Sequence, residues 1–227
     1  MEHSPHTVSD VMTRAVVAVG QEARFKEIVE TMERWKVSAL PVLAGEGRVI
    51  GVVSEADLLP KEEFRGSEPS RLEQAGRLDD VRKAGGVTAR DLMSAPALTV
   101  HPGDTLAQAA RTMAHMSVKR LPVVDGEGLL QGIVSRSDLL KVFLRSDEEL
   151  AAEVRSDVID RLFAGSAEDV EAVVTDGVVT LRGSFPTASL LPVAARLVRA
   201  VEGVVDVRLD VTGASPAPTE PPEARPR

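Results

Sequence analysis

The stretch Gly51–Asp57, with the sequence GVVSEAD, occurs a second time as GIVSRSD at Gly132–Asp138. The offset of 81 residues holds without a gap from Asp10–Leu59 to Asp91–Leu140. About eighteen of these fifty aligned pairs are identical. A duplication of this length indicates that the chain contains two copies of one structural unit.

Each copy is predicted to have the element order β-α-β-β-α. In the first copy we expect strands at Val16–Val19, Leu40–Leu43 and Val49–Val53 and a helix at Ala23–Trp35. The last two strands are apolar throughout, which is typical of strands covered on both faces. One copy alone buries too little surface to be stable, so we expect the two to pack face to face about a pseudo-two-fold axis. The fold class predicted is α/β (α+β).

Composition excludes several classes of function. The chain has 227 residues, a net charge of −8 and only 3% aromatic residues, so nucleic-acid binding is not expected. It contains no cysteine, which excludes disulfides, thiolate metal sites and cysteine nucleophiles. The four histidines are scattered, without metal-ligand spacing. We therefore expect a protein that is not an enzyme and needs no obligatory cofactor or metal.

The first residues have no basic patch followed by an apolar core, and no apolar run approaches the ~18 residues of a membrane-spanning helix. These features predict a cytoplasmic protein. The domain boundaries that we predict are a flexible N-terminus at 1–7, a first repeat at 8–62, a linker at 63–86, a second repeat at 87–145, a small α/β domain at 146–212 and a disordered tail at 213–227. Leu72–Lys83 is predicted as a short helix inside the linker, which is either a solvated connection or a lid over a binding cleft.

Three motifs recur in order in the two copies: DVMT at Asp10–Thr13 and DLMS at Asp91–Ser94, then LPV, then the G-x-V-S-x-x-D motif. Together they resemble the CBS (cystathionine-β-synthase) domain family, arranged as a tandem pair. The resemblance implies a module with two clefts and a homodimer formed through the repeats. It also implies that adenosine-containing regulatory ligands bind there, such as AMP, ADP, ATP or S-adenosylmethionine.

The resemblance assigns ribose binding to Asp57 and Asp138, because a carboxylate accepts hydrogen bonds from both sugar hydroxyls. Ser54 and Ser135 would add a polar contact beside them. At the start of each copy, the residues assigned to the base are Thr13 and Ser94. The alternative for Ser-x-x-Asp is a capping box that satisfies the first amides of a helix, and both roles are compatible in one side chain.

The two clefts are predicted to differ. Before Leu-Pro-Val the second copy has Lys119 and Arg120, where the first has serine and alanine, and Arg136 stands where the first has Glu55. Basic side chains here bind phosphate in nucleotide-binding relatives, according to the resemblance. We therefore expect the cleft that uses the second copy's serine and aspartate to hold a phosphate-bearing ligand, and the other to be weaker or empty. The alternative is that Lys119 and Arg120 only solvate a surface.

The last part of the chain is predicted to have the order α-β-β-α-β. Ser146 opens a helix, Asp176-Gly177 is a hairpin signal, and Gly203 ends a second helix. The motifs DGVVTLRG at Asp176–Gly183 and VEGVVDV at Val201–Val207 resemble the BON (bacterial OsmY and nodulation) domain. The resemblance implies contact with phospholipid or with protein, and no basic cluster here favours anionic lipid.

The leading hypothesis is a non-catalytic sensor that binds an adenosine-containing ligand and relays occupancy to the BON domain. The alternative is a dimeric scaffold whose clefts bind no ligand and whose BON domain contacts protein or phospholipid.

Overall fold

The computed structural model describes residues 6–66, 77–163, 170–183 and 188–211. The described residues divide into two compact units, Thr7–Leu139 and a second made of those from Leu140 onward together with His6. The predicted disordered tail, 213–227, lies outside the described residues, as do residues 1–5 and residues 67–76 of the predicted linker. Mixed helices and strands alternate along the chain, which confirms the predicted fold class.

The unit Thr7–Leu139 contains the two sequence copies. The first copy has α1 (Val8–Val11), β1 (Val19–Gly20), α2 (Phe25–Trp35), β2 (Ala39–Ala44), β3 (Arg48–Ser54), α3 (Glu55–Leu58) and α4 (Pro60–Glu63). The connecting segment contributes α5 (Leu78–Gly85), and the second copy has α6 (Ala89–Leu92), α7 (Leu106–His115), β4 (Arg120–Val124), β5 (Leu130–Ser135) and α8 (Arg136–Leu139). In both copies two antiparallel strands form the hairpin that the glycine-rich turn predicts.

The predicted first strands are shorter in the structure. Of Val16–Val19 only the last residue is in a strand, pairing in parallel with Val42, and in the second copy Val100 forms a single parallel bridge to Val123. The helix predicted at Leu72–Lys83 is described as α5, which begins at Leu78 and ends at Gly85.

The two copies exchange strand contacts across a pseudo-two-fold axis. Thr13 pairs with Ile133 of the second copy, and Ser94 pairs with Val52 of the first, each through two backbone hydrogen bonds of 2.9–3.1 Å. These two pairs are related by the offset of 81. Arg48 forms a bridge with its own equivalent, Leu129, so the axis passes between them. The start of each copy is therefore completed by the other copy's last strand.

Glycine in the repeated motif makes this exchange sterically feasible. A Cβ atom built on Gly51 would lie 2.4 Å from Met93 Sδ, and one on Gly132 would lie 2.7 Å from Met12 Sδ and 3.0 Å from the carbonyl oxygen of Thr13. Both methionines come from the opposite copy. The glycines thus permit a close approach that any larger residue obstructs.

The core of the first copy is a cluster of buried aliphatic side chains that the second copy completes. Ile28 and Met32 of α2 pack with Leu40 and Val42 of β2. Leu92 of α6 lies in the same cluster, although it belongs to the second copy. The second copy therefore supplies apolar contacts that the first copy alone lacks.

The second unit begins with a 3₁₀ turn at Leu140–Leu144. Then come α9 (Asp147–Val154), a π turn (Arg155–Ile159), α10 (Asp160–Leu162), β6 (Val170–Thr175), β7 (Val178–Gly183), α11 (Leu191–Ala200) and β8 (Asp206–Val211). The sheet order is β6-β7-β8, with β6 antiparallel and β8 parallel to the central β7. This is the predicted α-β-β-α-β order. The Asp147 carboxylate accepts both amides of the Asp176-Gly177 turn at 2.9 Å, which ties the first helix to the hairpin.

Among the described residues, none of the helices combines the length and the apolar character that crossing a membrane requires.

Candidate ligand cavities

Two cavities lie where the repeats exchange strand contacts. Cavity A has a volume of about 840 Å³ and is lined by Thr13, Ser135 and Asp138 among others. Cavity B has a volume of about 540 Å³ and is lined by Ser94, Asp57 and further residues. Both volumes are in the range of small-molecule sites in proteins. Each cavity takes the start of one copy and the Ser-x-x-Asp motif of the other.

The walls of both cavities are largely apolar. In cavity A they are formed by side chains such as Val16, Val17 and Ile133, so the residues predicted as the first strand line a cavity instead of extending a sheet. In cavity B the corresponding walls include Leu98 and Val118. A flat heterocyclic base fits between aliphatic walls of this kind, while the serine and aspartate provide polar contacts.

The cross-over corrects one prediction. Lys119 was expected beside the second copy's own aspartate, but it lines cavity B together with Asp57, which belongs to the first copy. Arg120 lines both cavities, and its Nη2 donates to Ser38 Oγ at 2.9 Å. The physical reason is the strand exchange, which carries each Ser-x-x-Asp motif to the opposite copy.

Arg136 is exposed and is not among the residues that line either cavity. Its Nε donates to the carbonyl oxygen of Val118 at 3.2 Å, so the guanidinium supports the segment before β4. Glu55, at the equivalent position in the first copy, lines both cavities. Of the two residues whose charges differ between the copies, only Glu55 therefore lines the cavities. A ligand contact by Arg136 stays a prediction.

Both motif aspartates form the capping interaction that the sequence offered as the alternative. Asp138 Oδ2 accepts from Ser135 N at 2.9 Å and from Ser135 Oγ at 2.6 Å. Asp57 Oδ2 accepts from Ser54 N and Ser54 Oγ at 2.7 and 2.6 Å. Because each aspartate also lines a cavity, helix capping and a ligand role are compatible here.

The second oxygen of Asp57 is bound by groups outside the motif. Asp57 Oδ1 accepts from Lys83 Nζ at 2.6 Å and from Ser94 Oγ at 3.2 Å. Lys83 Nζ also donates to Ser94 Oγ at 3.1 Å and lies 2.9 Å from Asp79 Oδ2. Asp57 and Lys83 are 8% and 6% exposed, so this ion pair is shielded from water. Asp138, by contrast, is half-buried.

The charge on Lys83 is stabilised in this position. Burial alone lowers the pKa of Lys83, but hydrogen bonds to Asp57 and Asp79 offset it, and the pKa of Lys83 is raised above the ordinary lysine value. The pKa of Asp79 is lowered mainly by its hydrogen bonds with Lys83 and Arg82. Lys83 therefore stays protonated at neutral pH, and the pair with Asp57 is ionic.

The charged side chains that line the two cavities differ in balance. Those of cavity A are Glu33, Glu55, Glu62, Asp138, Lys36 and Arg120, an acidic excess. Those of cavity B are Glu55, Asp57, Lys119 and Arg120, in equal numbers. Cavity B is thus the better environment for phosphate by charge alone, although its aspartate is already paired.

Three residues near the cavities could not be assigned to them from the sequence. Trp35 lines cavity A and is 59% exposed. Lys36 follows it in the left-handed region, at φ 52°, and turns the chain into β2. Lys83 lies in a polar, mixed-charge segment where a solvated lysine is the ordinary interpretation. For Trp35, its place at the C-terminal end of a helix and before a turn was the one feature of the sequence that could have indicated a cavity residue.

No group of three or more histidine or acidic side chains arranged to hold a metal ion occurs within the described part of the chain.

This geometry is that of a paired ligand-binding module in which two homologous repeats share two cavities. Family models match the CBS domain at residues 8–61 and 89–145 and the BON domain at 146–213. The chain belongs to the CBS domain family: it contains two CBS repeats followed by a BON domain.

Similar proteins agree with this assignment. The uncharacterized protein MJ1426 of Methanocaldococcus jannaschii is 29% identical over 153 residues, covering 60% of this chain and 90% of that protein. The uncharacterized protein MJ1225 of the same organism is 31% identical over 137 residues, but the match covers only 46% of its length. A crystal structure of CBSX2 in complex with AMP, the CBSX2 protein being from Arabidopsis thaliana, aligns with a TM-score of 0.54 at 32% identity. It covers 61% of this chain and 97% of that chain.

Proposed function

We propose that this chain is a non-catalytic regulatory protein whose CBS repeats bind an adenosine-containing ligand in cavity A and whose BON domain transmits occupancy. The observation that carries the proposal is the convergence of Thr13, Ser135 and Asp138 on one cavity of about 840 Å³ with aliphatic walls. The similar protein CBSX2 has been crystallised with AMP, which supports an adenine nucleotide as the ligand class. S-adenosylmethionine remains an alternative adenosine ligand, because the acidic balance of cavity A suits a ligand with positive charge.

In this proposal each side chain has a distinct role. The Asp138 carboxylate accepts hydrogen bonds from the ribose hydroxyls, while Ser135 holds that carboxylate through its amide and hydroxyl. Thr13 contacts the base, and Val16 and Val17 pack against its faces. Arg120 binds a phosphate of the ligand. In cavity B, Ser94, Lys119, Ser54 and Asp57 have the corresponding roles.

Isothermal titration calorimetry with AMP and with S-adenosylmethionine tests the proposal. We expect the wild-type chain to bind one of them and Asp138→Ala to lose that binding, while a control, Lys61→Met, retains it. A chain that binds neither ligand, or an Asp138→Ala variant that binds as well as wild type, contradicts the assignment of cavity A.

The scaffold alternative is favoured by one observation, the internal ion pair between Lys83 and Asp57 in cavity B. A repeat pair that has lost ligand binding would satisfy its buried carboxylates in this way. Thermal unfolding with a panel of adenine nucleotides discriminates the two functions, because a ligand at 100 times its Kd stabilises the folded state by about 2.7 kcal/mol. A scaffold shows no shift with any nucleotide.

A homodimer formed through the CBS repeats belongs to the same proposal. Leu59 lies after α3 and is 64% exposed, so the unit Thr7–Leu139 leaves an aliphatic side chain in water close to its ligand cavities. Sedimentation equilibrium measures the state directly. A mass that stays monomeric at all concentrations rejects the dimer and leaves the ligand proposal intact.

For the BON domain we favour a protein contact over a phospholipid contact. Glu171, Arg182 and Asp210 lie side by side across the three strands and are exposed. Arg182 Nε is 3.5 Å from Asp210 Oδ2. A cation flanked by two acids gives this face no basic field for anionic lipid. Flotation with vesicles rich in phosphatidylserine tests this, since co-flotation of the chain contradicts the protein-contact proposal.

A further inference from the structure

Lys83 is a buried cation on α5, outside both sequence copies, yet it contacts the motif aspartate of cavity B. Its Nζ lies 2.6 Å from Asp57 Oδ1 and 3.1 Å from Ser94 Oγ. Ser94 is the residue that lines cavity B at the position equivalent to Thr13 in cavity A. One ammonium group thus occupies both polar positions expected to receive the sugar and the base.

The carboxylate of Asp57 has no acceptor capacity left. A carboxylate offers about four lone-pair positions. Ser54 fills two on Oδ2 through its amide and its hydroxyl, and Lys83 and Ser94 fill two on Oδ1. A ribose hydroxyl can therefore bind Asp57 only if one of these donors leaves.

Lys83 is the donor that has an alternative partner outside the motif. The amide of Ser54 is fixed by the start of α3, whereas the lysine side chain has four rotatable bonds. Asp79, one turn earlier on α5, already lies 2.9 Å from Lys83 Nζ, and its side chain is 64% exposed. Withdrawal from Asp57 toward Asp79 keeps the ammonium paired and moves it into water.

We infer that Lys83 is an internal competitor for the sugar hydroxyls at Asp57, so that cavity B accepts an adenosine-containing ligand only when α5 releases this side chain. The inference rests on the proposed function and specifies its regulation. Because Lys83 belongs to α5, in the segment between the repeats, α5 responds to the filling of cavity B.

The test isolates cavity B in an Asp138→Ala background and uses adenosine, whose lack of charge separates hydroxyl binding from phosphate attraction. We expect Asp138→Ala/Lys83→Met to bind adenosine at least about tenfold more tightly than Asp138→Ala, because methionine matches the lysine side chain as far as Cε and lacks the ammonium. We expect most of this gain to disappear with 2′-deoxyadenosine, which lacks one of the two hydroxyls. Equal affinity of the two variants for adenosine overturns the inference.

A matched control separates competition from loosening of α5. Lys61 Nζ donates to the carbonyl oxygen of Ala84 in α5 at 2.9 Å, whereas the ion pair of Asp57 is with Lys83. Asp138→Ala/Lys61→Met therefore weakens the attachment of the same helix while Lys83 stays in place. An equal gain of adenosine affinity in this variant overturns the competitor role, whereas an unchanged affinity supports it.

Hydrogen exchange on the wild-type chain covers the case in which the Lys83 variant does not fold. At adenosine concentrations that protect the amides of residues 97–98 in cavity B, we expect amides of α5 to exchange faster. Protection of cavity B with unchanged exchange in α5 overturns the inference. If the wild-type chain and every variant that folds bind none of adenosine, AMP and S-adenosylmethionine, the proposed function fails as well. If the wild-type chain binds through Asp138 and the Lys83 variant gains nothing, only the inference about Lys83 fails.

Discussion

Cavity A and cavity B are built from the same repeated motif, but their aspartates have different neighbours. Asp138 is half-buried on a cavity of about 840 Å³, while Asp57 is 8% exposed and forms an ion pair with Lys83. At Asp57 the difference comes from Lys83, which belongs to the segment between the repeats. A duplicated site therefore becomes two unequal sites when its equivalent residues have different neighbours.

The largest effect is expected on the free energy of unfolding, when the ion pair of cavity B is removed. Lys83→Ala leaves the Asp57 charge buried with reduced compensation, and we expect it to lower the free energy of unfolding by about 3–5 kcal/mol. Urea denaturation at pH 7 measures this. Adding Asp57→Asn to Lys83→Ala should recover most of the loss, and a double variant as unstable as the sum of the single ones would show that the two side chains are not coupled.

The next effect concerns ligand affinity and asks whether the cavities are unequal in function. We expect Asp138→Ala to weaken AMP binding by roughly 100-fold, since hydrogen bonds to a charged group contribute about 1.5–3 kcal/mol each. Asp57→Ala should change the affinity of the high-affinity site less than about threefold, because Asp57 is already paired with Lys83. Calorimetry on the two variants, each checked for folding by circular dichroism, measures both. Equal losses would remove the asymmetry between the cavities.

A smaller effect tests the strand exchange on which both cavities depend. Gly51→Ala and Gly132→Ala each place a methyl group against a methionine of the opposite copy, and we expect each to cost about 1–3 kcal/mol of unfolding free energy. Gly132→Ala also approaches the backbone oxygen of Thr13, so it should weaken AMP binding in cavity A more than Gly51→Ala does. Stability and affinity measured on the same samples decide this. Two variants with wild-type stability would contradict the close approach.

The smallest effect is a dependence of stability on alkaline pH. Because the pKa of Lys83 is raised in the folded state, its contribution is complete below the ordinary lysine value of about 10.5 and is lost as the pH rises through the folded-state value. The difference in unfolding free energy between wild type and Lys83→Met should therefore be constant from pH 7 to 9 and shrink above about pH 10.5. A difference that grows with pH has the wrong sign for this ion pair.

The repeat, its element order and the C-terminal domain could be predicted from the sequence because they depend on local patterns. The assignment of Lys119 to a cavity could not, since a duplicated motif looks the same whether it serves its own copy or the other one. The burial of Lys83 could not be predicted either, because nothing in the neighbouring sequence indicates which residue a lysine in a polar segment will pair with. Only the tertiary arrangement brings it within 2.6 Å of an aspartate 26 residues away.

Arg120 lines both cavities, as does Ser38, whose hydroxyl accepts its hydrogen bond. One guanidinium cannot be fully available to two phosphates, so two anionic ligands on the same chain would compete for it without touching each other. Occupancy of either cavity then weakens the other by the same factor, as thermodynamic reciprocity requires. Titration would then show a larger gap between the first and second dissociation constants for a phosphorylated ligand than for the matching uncharged nucleoside.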